Sequence, residues 1–429
     1  MRRRSQTGVA MPRQRRAHRP DYRLVLYTGL LMMIGLVIMY AIGPQRAHVL
    51  NMAHNTDFYT NTYFVIRQTI SLLVALAALV ALAVTPLAVL HKYAGKILLA
   101  GLVACALLMI FGNWLGVEAI TRCTNGACRW FDVGPVSFQP AELLKFGVLI
   151  YLARFIGNAM TNKSLNDWRE TIWPMLAIVG LATFFIAVVQ KDMGTSLSML
   201  SIVVAILLVS GMSWRILGRL AIGLAGVGLV LIISAPHRME RIMTFFNTHE
   251  GDSLQTQKDS GYHIEQAKLA IGSGGLFGLG IGNSVQATGY LPEAINDSVF
   301  AIMGETFGFV GLVIILGLFA ALLMRLLKIS SLLSDPWLQL LVAGVFGWLA
   351  SHIVLNIASM VGIIPLTGIT LPLLSFGGTS MAFIAAAIGV AFQASRYTNF
   401  AVNEREEHAH TGRRGRVGWS RDTSRRRIS

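Results

Sequence analysis

Long uninterrupted apolar segments constrain this chain more than any other feature of its sequence. They run to roughly 17 to 25 residues, the length that an α-helix needs to cross a hydrocarbon core of about 30 Å. Of the 429 residues, 54% are hydrophobic and only 13% are charged, whereas a soluble chain carries roughly 25% charged residues. The sequence therefore excludes a soluble globular fold and predicts an all-α integral membrane protein.

Ten such segments can be placed along the chain. The expected spans are 24–43, 63–86, 96–116, 141–158, 171–190, 194–211, 214–234, 298–326, 336–360 and 376–394. The first span has no small-residue cleavage site, so we expect it to remain as a signal anchor. Residues 235–297 form the longest connection, and we expect a large outer loop there, before the eighth span.

Two arginine-rich tails, residues 1–23 and 397–429, carry most of the net charge of +15. This charge is not spread over a globular surface, so it does not indicate nucleic-acid binding. Positive charge marks the cytoplasmic segments of membrane proteins, so both termini are predicted to be cytoplasmic, which requires an even number of spans. The tails are too polar to fold and are predicted to be disordered. Residues 24–396 then form a ten-helix domain in the inner membrane.

Cys123 and Cys128 lie in the predicted outer loop 117–140, on either side of an Asn-Gly turn signal. On the oxidising side of a membrane such a pair can close a small disulfide loop. The alternative is two free thiols in a mobile loop. Cys105 falls within a span and is interpreted as a packing residue.

Charged side chains near the outer ends of the spans are the main functional signal, because a charge in lipid is costly unless it faces a cavity or a partner. These residues are Arg67, Glu142, Lys145, Asp192, Asp297 and Glu305. Glu142 and Lys145 are three residues apart, so they share a helix face and are predicted to pair. Structural ion pairs or interfacial anchors are the alternative interpretation. The inner halves of the spans are almost uncharged, which favours surface chemistry over passage through the membrane.

Five motifs occur in order along the chain. They are Arg129-Trp130, Gln139-Pro-Ala-Glu142-Leu-Leu-Lys145, Gln190-Lys-Asp192-Met-Gly194-Thr195, Tyr290-Leu-Pro292-Glu293-Ala-Ile-Asn-Asp297 and Pro365-Leu-Thr367-Gly368-Ile-Thr-Leu-Pro372-Leu-Leu-Ser375-Phe-Gly377-Gly378-Thr-Ser380. Together they resemble the signatures of the SEDS family (shape, elongation, division and sporulation) over residues 24–396. Two features resemble the division branch, typified by FtsW, more than the RodA branch. They are the segment Gly282–Gln286 and the residue Thr370.

The chain departs from the family pattern at three places. Ile295-Asn296 precedes Asp297 where the family usually has His-Thr, Lys191 replaces a turn proline, and His263 replaces a glutamine. The aspartates Asp192 and Asp297 are kept. The departures therefore affect the surroundings of the expected site rather than its acidic groups.

The resemblance implies a peptidoglycan glycosyltransferase that polymerises lipid II at the division septum, with an FtsI-like class B penicillin-binding protein and other divisome membrane proteins as partners. Asp297 matches the essential aspartate of the family and is the expected catalytic base. The expected substrate-binding residues are Arg67, Arg129, Trp130, Gln139, Glu142, Lys145, Asp192, Arg238, Arg241, Glu293, Glu305 and Ser375. A divalent Mg or Mn ion could assist the cations at the diphosphate, although no metal-ligand spacing is present.

Two other functions remain open at this point. A lipid II flippase would bind the same headgroup but needs a polar path from the inner face, which the sequence does not show. A non-catalytic scaffold that recruits a penicillin-binding protein would leave the acidic outer residues without a role.

The predicted topology can be tested with reporter fusions at each end of the chain. We expect both fusions to report a cytoplasmic location, because both tails are rich in arginine and the span count is even. A C-terminal fusion that reports from outside would overturn the topology and every loop assignment that depends on it.

Overall fold

A computed structural model of the chain describes residues 18–398 apart from 118, 125–126, 134–135 and most of 234–258. Most of the two predicted tails lies outside the described residues. Arg238 and Arg241, predicted to bind substrate, also lie outside them.

Helices make up most of the described chain. They are α1 (Tyr22–His54), α2 (Tyr63–Val84), α3 (Leu87–Leu108), α4 (Pro140–Thr161), α5 (Trp173–Thr183), α6 (Met193–Val209), α7 (Trp214–Ile233), α8 (Asp259–Ser273), α9 (Val299–Leu332), α10 (Pro336–Val361) and α11 (Gly378–Ala394). Wider π-helical turns extend α3 through Met109–Trp114 and flank α5 at Trp168–Ile172 and Phe184–Val189. The prediction of an all-α membrane protein is confirmed.

Each of the ten predicted spans coincides with a helix, namely α1 to α7 and α9 to α11. Eight helices of the described chain are long and apolar enough to cross a membrane, while Met193–Val209 is apolar but shorter. The count of ten spans stays a prediction. α1 runs on to His54 instead of ending at residue 43, and α3 begins at Leu87 instead of 96. The extension of α1 is held by tertiary contacts, since Ala47 is buried and the Gln45 amide donates to the Gly282 carbonyl.

A small antiparallel sheet, which the sequence did not predict, lies between α3 and α4. Its strands are β1 (Thr121–Thr124), β2 (Ala127–Val133) and β3 (Val136–Phe138), in the order β1-β2-β3. Cys123 and Cys128 face each other across β1 and β2 and are joined by a disulfide. The Cys128 side chain packs against Gly112, so the sheet is fixed to the end of α3.

The second half of the predicted outer loop 235–297 is ordered around α8 and a glycine-rich segment, residues 274–289, and this segment packs against a break in α9. The break lies at Gly308, whose φ of +68° lies in the left-handed region. The carbonyls of Glu305 and Thr306 accept hydrogen bonds from the main-chain N–H groups of Leu279 and Gly280, at 2.8 and 3.1 Å. Irregular backbone at the edge of a bundle is stable only when its polar groups are paired in this way.

The two described ends of the chain meet at one end of the bundle. The His18 N–H donates to the Arg396 carbonyl at 3.0 Å, and Asp21 forms an ion pair with Arg325 near the end of α9. The sheet and the start of α4 lie at the opposite end, since three long helices, α1 to α3, run back and forth before the chain reaches the sheet. An even number of crossings between the two chain ends is consistent with this arrangement.

The break at Gly308 can be tested with two alanine substitutions in the same helix. Gly308→Ala should lower the thermal midpoint of the detergent-solubilised protein, because the added Cβ would lie 2.3 Å from the Gly278 nitrogen. The left-handed backbone adds roughly 1–2 kcal/mol of strain. Gly317→Ala is the matched control, since nothing lies within 4 Å of its added Cβ. Equal midpoints for the two variants would contradict the inserted segment.

Candidate active site

A cavity of about 2820 Å³ opens at the end of the bundle that carries the sheet. Charged and amide side chains line its polar end: Arg46, Arg67, Arg122, Arg129, Gln139, Glu142, Lys191, Asp192, Glu293 and Asp297. These residues come from α1, α2, the sheet, α4, the turn before α6 and the segment before α9. Seven of the twelve expected substrate-binding residues, Trp130 among them, are thus brought together with the expected base Asp297.

Asp297 lies in a tight turn before α9 and is only partly exposed. Its main-chain carbonyl accepts a hydrogen bond from the Asn356 amide at 2.7 Å. The next residue, Ser298, is buried, donates to the Pro292 carbonyl at 2.8 Å and lies 2.5 Å from the His263 ring. These contacts fix the main chain on both sides of the Asp297 carboxylate.

Glu293 begins the same turn with a left-handed φ of +48°. Its carbonyl accepts main-chain hydrogen bonds from Asn296 and Ser298, at 2.9 and 3.3 Å. The Asn296 side chain donates to the Glu293 carboxylate, and the Ile295 carbonyl accepts from the Phe376 N–H at 2.8 Å. The turn is therefore attached to the loop that connects α10 and α11.

Glu142 and Lys145 form a buried ion pair at the start of α4, with the Lys145 Nζ 2.9 Å from the Glu142 Oε1. The Lys145 side chain is completely buried and that of Glu142 is 3% exposed. Glu142 lines the cavity, and among the described residues its Oε2 has no hydrogen-bond partner. The predicted pair is therefore present in the structure, with one free carboxylate oxygen on the cavity wall.

Lys145 is enclosed by two side chains of α10. Its Nζ lies 3.5 Å from the His352 Nε2 and 4.8 Å from the centre of the Trp348 ring. An ammonium group held over an indole face gains cation–π attraction, which is strongest when water is excluded. The environment of Lys145 therefore keeps its charge in place beside Glu142.

Asp192 caps the start of α6. Its carboxylate accepts hydrogen bonds from the Thr195 N–H and hydroxyl, at 2.9 and 2.8 Å, and from the Gln139 amide at 3.4 Å. The Arg129 guanidinium donates to the carbonyls of Gln190 and Lys191, at 3.2 and 3.0 Å. Since Gln139 immediately precedes α4 and Arg129 lies in β2, these contacts join the sheet, α4 and α6.

Three residues expected to contact substrate lie outside the cavity lining, so their role in binding stays a prediction. Lys145 is buried behind Glu142. The Glu305 carboxylate accepts hydrogen bonds from the Ser284 hydroxyl and the Val285 N–H, at 2.5 and 2.9 Å, and so anchors the glycine-rich segment. The buried Ser375 hydroxyl accepts from the Leu371 N–H at 2.8 Å. Each of these groups has at least one partner inside the protein.

Arg46 is a cation of the cavity that was not predicted from the sequence. Arg46 was assigned to a loop because the first span was ended at residue 43, but α1 carries it to the cavity wall. Among the described residues its Nε has no hydrogen-bond partner. Arg67, from the adjacent α2, is exposed and lies 5.4 Å from the Tyr63 ring. A longer first helix, had it been predicted, would have placed Arg46 with Arg67.

An apolar groove continues from the polar end of the cavity between α5, α6 and α7. Its walls include Met175, Val179, Leu200, Val203, Leu217 and Leu220. The groove exists because α7 packs on the bundle only through its first turns, where Ile216 is buried. Farther along α7, Ile222 and Val230 are 75% and 65% exposed. The groove is therefore wide enough for a large apolar group and open at the side.

The described residues contain no cluster of three or more His, Cys, Asp or Glu side chains that could hold a metal ion. Asp192 and Asp297 both face the cavity, but the Asp192 oxygens already accept hydrogen bonds from Thr195 and Gln139. The donor set therefore does not match a site for Mg²⁺ or Mn²⁺ held by the protein alone. The divalent ion suggested by the sequence is assigned no ligands.

The family of cell cycle proteins FtsW, RodA and SpoVE matches residues 22–400. The chain belongs to the FtsW/RodA/SpoVE family. This finding confirms the resemblance to SEDS proteins, and it covers every element that forms the cavity. No individual motif is needed to support it.

Relatives cover nearly the whole membrane domain. Stage V sporulation protein E of Bacillus subtilis is 34% identical over 383 residues, which cover 89% of this chain and 98% of that protein. A protein of Saccharophagus degradans named probable peptidoglycan glycosyltransferase FtsW is 31% identical over 387 residues, with coverage of 89% and 94%. The chain is thus similar to these proteins from end to end of its described part.

Two solved structures share the fold. A chain of a peptidoglycan synthase complex, in which polymerization and crosslinking are structurally coordinated, gives a TM-score of 0.67 at 25% identity and covers 88% of this chain and 98% of that one. The crystal structure of RodA from Thermus thermophilus gives a TM-score of 0.60 at 26% identity, with coverage of 89% and 98%. The helical arrangement described above is therefore that of the family.

The buried ion pair can be tested through stability. Lys145→Met should lower the thermal midpoint strongly, because removing one partner of a buried pair leaves an uncompensated charge that costs about 3–5 kcal/mol. Adding Glu142→Gln should recover part of the loss, so that the two effects are less than additive. Thermal unfolding of the purified variants measures both effects.

Arg122→Met is the matched control, because Arg122 pairs with Asp132 at 2.9 Å on the surface, where its side chain is 58% exposed. Exposed pairs contribute only about 0–1 kcal/mol. A Lys145→Met midpoint no lower than that of Arg122→Met would show that the buried pair does not hold α4 in place.

Proposed function

We propose that this protein is a peptidoglycan glycosyltransferase that polymerises lipid II into glycan strands during septal wall synthesis. The observation that carries the proposal is one continuous cavity that joins a charged end to an apolar groove. Lipid II combines a sugar, a diphosphate and a long hydrocarbon chain, so its binding site needs both environments. Relatives named as peptidoglycan glycosyltransferases support the reaction.

The volume of the cavity fits a substrate of this size. Pockets for drug-sized ligands are roughly 300–1,000 Å³, and this cavity, at about 2820 Å³, is several times larger. The groove between α5, α6 and α7 suits the hydrocarbon chain, while the polar end suits the sugar and diphosphate of donor and acceptor.

Asp297 acts as the general base in the proposed reaction. It accepts the proton of the attacking hydroxyl of one lipid-linked sugar as the hydroxyl oxygen bonds to the anomeric carbon of the other. The bond from that carbon to the diphosphate breaks, and its electron pair leaves with the diphosphate oxygen. Direct displacement inverts the configuration at the anomeric carbon. The hydrogen bonds around Ser298 and Asn356 fix the main chain that carries the base.

The arginines of the cavity stabilise the departing diphosphate. A guanidinium group has five N–H donors, and Arg129 uses two groups, Nε and Nη2, for the carbonyls of Gln190 and Lys191. Its remaining donors, together with Arg46 and Arg67, are available for phosphate oxygens. Preorganised positive charge at a developing negative charge is the usual source of such stabilisation.

Glu142 contributes a hydrogen-bond acceptor for a substrate hydroxyl. Its Oε1 is held by Lys145, while its Oε2 faces the cavity without a partner among the described residues. A buried oxygen without a hydrogen bond costs free energy until a donor binds to it. Binding of a sugar hydroxyl would remove that penalty and orient the sugar.

A class B penicillin-binding protein is the proposed partner. Support comes from the synthase complex, whose chain shares the fold and whose description joins polymerization with crosslinking. The division role rests on the similarity to proteins named FtsW. Both termini are placed in the cytoplasm on the basis of their charge.

A flippase is the second candidate, since the cavity extends along α7 as far as Trp214 and Arg219, near the opposite end of the bundle. Between Arg219 and the polar end, the lining along α5, α6 and α7 is apolar except for Thr183. Such a surface favours a hydrocarbon chain over a sugar headgroup, so the glycosyltransferase remains the better account.

The substitution Asp297→Asn tests the proposed function. It keeps the size of the side chain but removes the proton acceptor, and a positioned base contributes typically 10²–10⁴-fold. Glycan polymer formed from lipid II by the purified protein, with and without its penicillin-binding protein, should fall by about that factor. Binding of lipid II should change little.

Asp57→Asn provides a control, because Asp57 lies exposed in the connection between α1 and α2, away from the cavity. It should polymerise like the wild type. Normal polymerisation by Asp297→Asn would reject the base assignment. A wild-type protein that moves lipid II across proteoliposomes but forms no polymer would instead favour the flippase.

A further inference from the structure

Two polar side chains of α10, His352 and Asn356, connect the separate parts of the charged site. They lie four residues apart, so they project from the same face of the helix. Both are buried, with 4% and 0% of their surface exposed. Buried polar groups in a membrane-spanning helix are uncommon and usually mark function.

His352 joins the buried lysine to the loop between α10 and α11, residues 362–377. Its Nδ1 lies 3.2 Å from the Thr370 carbonyl, and its Nε2 lies 3.5 Å from the Lys145 Nζ. A carbonyl only accepts hydrogen bonds, so Nδ1 carries the proton, and Nε2 accepts from the ammonium group. The neutral ring therefore has both nitrogens engaged.

Asn356 joins the same loop to the expected base. Its Nδ2 donates to the Ile369 carbonyl and to the Asp297 carbonyl, each at 2.7 Å. These two bonds use both N–H groups of the amide. The Asn356 Oδ1 is buried and has no hydrogen-bond partner among the described residues, an unfavourable state that packing alone does not require.

The two side chains hold consecutive carbonyls, those of Ile369 and Thr370. His352 also contacts Lys145, which pairs with Glu142. Asn356 also donates to the main-chain carbonyl of Asp297. Since α10 is among the most deeply buried helices of the bundle, these contacts attach both halves of the site to one rigid element.

We propose that His352 and Asn356 are positioning residues that set the placement of the Glu142–Lys145 pair relative to Asp297. The inference rests on the proposed glycosyltransferase function. Neither residue needs to touch the reacting atoms. A misplacement of about 1 Å in a catalytic group can lower a rate about 10²-fold, so loss of either contact should act on kcat.

Substitutions that differ in side-chain length and in hydrogen-bonding groups distinguish a positioning role from a role in packing alone. His352→Gln retains an acceptor and a donor at the length of the ring, so it should keep most of the polymerisation rate. His352→Asn retains a donor for Thr370 but is too short to reach Lys145, and it should lower kcat by about tenfold or more. Asn356→Asp has the same shape but presents no N–H to the two carbonyls, and it should lower kcat similarly.

Val354→Ala is the matched control, because Val354 lies on α10 between the two residues but is 60% exposed. All variants are compared in detergent with lipid II as substrate, measuring kcat, KM and the thermal midpoint. A lowered kcat with KM unchanged within about twofold is expected for a positioning role.

Equal kcat values for His352→Gln and His352→Asn, or a normal kcat for Asn356→Asp, would overturn the inference. A parallel loss in every variant, Gln included, with a matching fall in midpoint would show a purely structural role and would also overturn it. If the wild type forms no polymer at all, the proposed function fails instead, and that outcome is recognised before any variant is compared.

Discussion

Two opposite charges buried at the start of α4 determine how the polar end of the bundle is built. Desolvating Glu142 and Lys145 is expensive, and their attraction offsets it only when the geometry is good and the remaining groups are paired. Lys145 meets this condition through Glu142, His352 and Trp348. Glu142 meets it only in part, since one oxygen stays open to the cavity. The incomplete half of the pair is the half that lines the cavity.

The membrane sets a second constraint, because main-chain polar groups near lipid must be paired within the protein. The break in α9 satisfies it by exchanging hydrogen bonds with the glycine-rich segment, as the Glu305 and Thr306 carbonyls show. The Glu305 side chain reinforces the same contact through Ser284 and Val285. This support fixes the start of α9, and with it the turn that carries Asp297.

Hydropathy predicted the spans because apolar length is a local property of the sequence, and each predicted span lies on a helix. The pairing of Glu142 with Lys145 was predictable for the same reason, since a separation of three residues in a helix fixes their distance. Glu305 was placed in the site because it is a charged residue near the outer end of a predicted span. Its actual partners lie about twenty residues earlier in the chain, and local spacing carries no information on such contacts.

Other parts of the site could not be predicted from the sequence, because they also depend on contacts between distant parts of the chain. Arg46 was assigned to a loop because the first span was ended at residue 43, whereas α1 continues to His54. The sheet was missed because its strands are short and lie in an otherwise helical chain. His352 and Asn356 did carry a local signal, as polar residues within a predicted span, but only the folded structure shows that they contact opposite halves of the site.

The connection between the charged end and the groove also bears on how a lipid-linked substrate would be handled. Because α7 leaves the groove open at the side, a hydrocarbon chain could enter from the bilayer without losing its apolar surroundings, so little free energy would be gained or lost there. Discrimination between substrates would then fall to the polar end, where buried groups such as the Glu142 Oε2 are unpaired until a matching hydroxyl arrives. A site built in this way rejects a ligand that lacks the donor more strongly than one with a different chain length. Under the proposed function, specificity for the sugar and tolerance for the lipid would both follow from this one cavity.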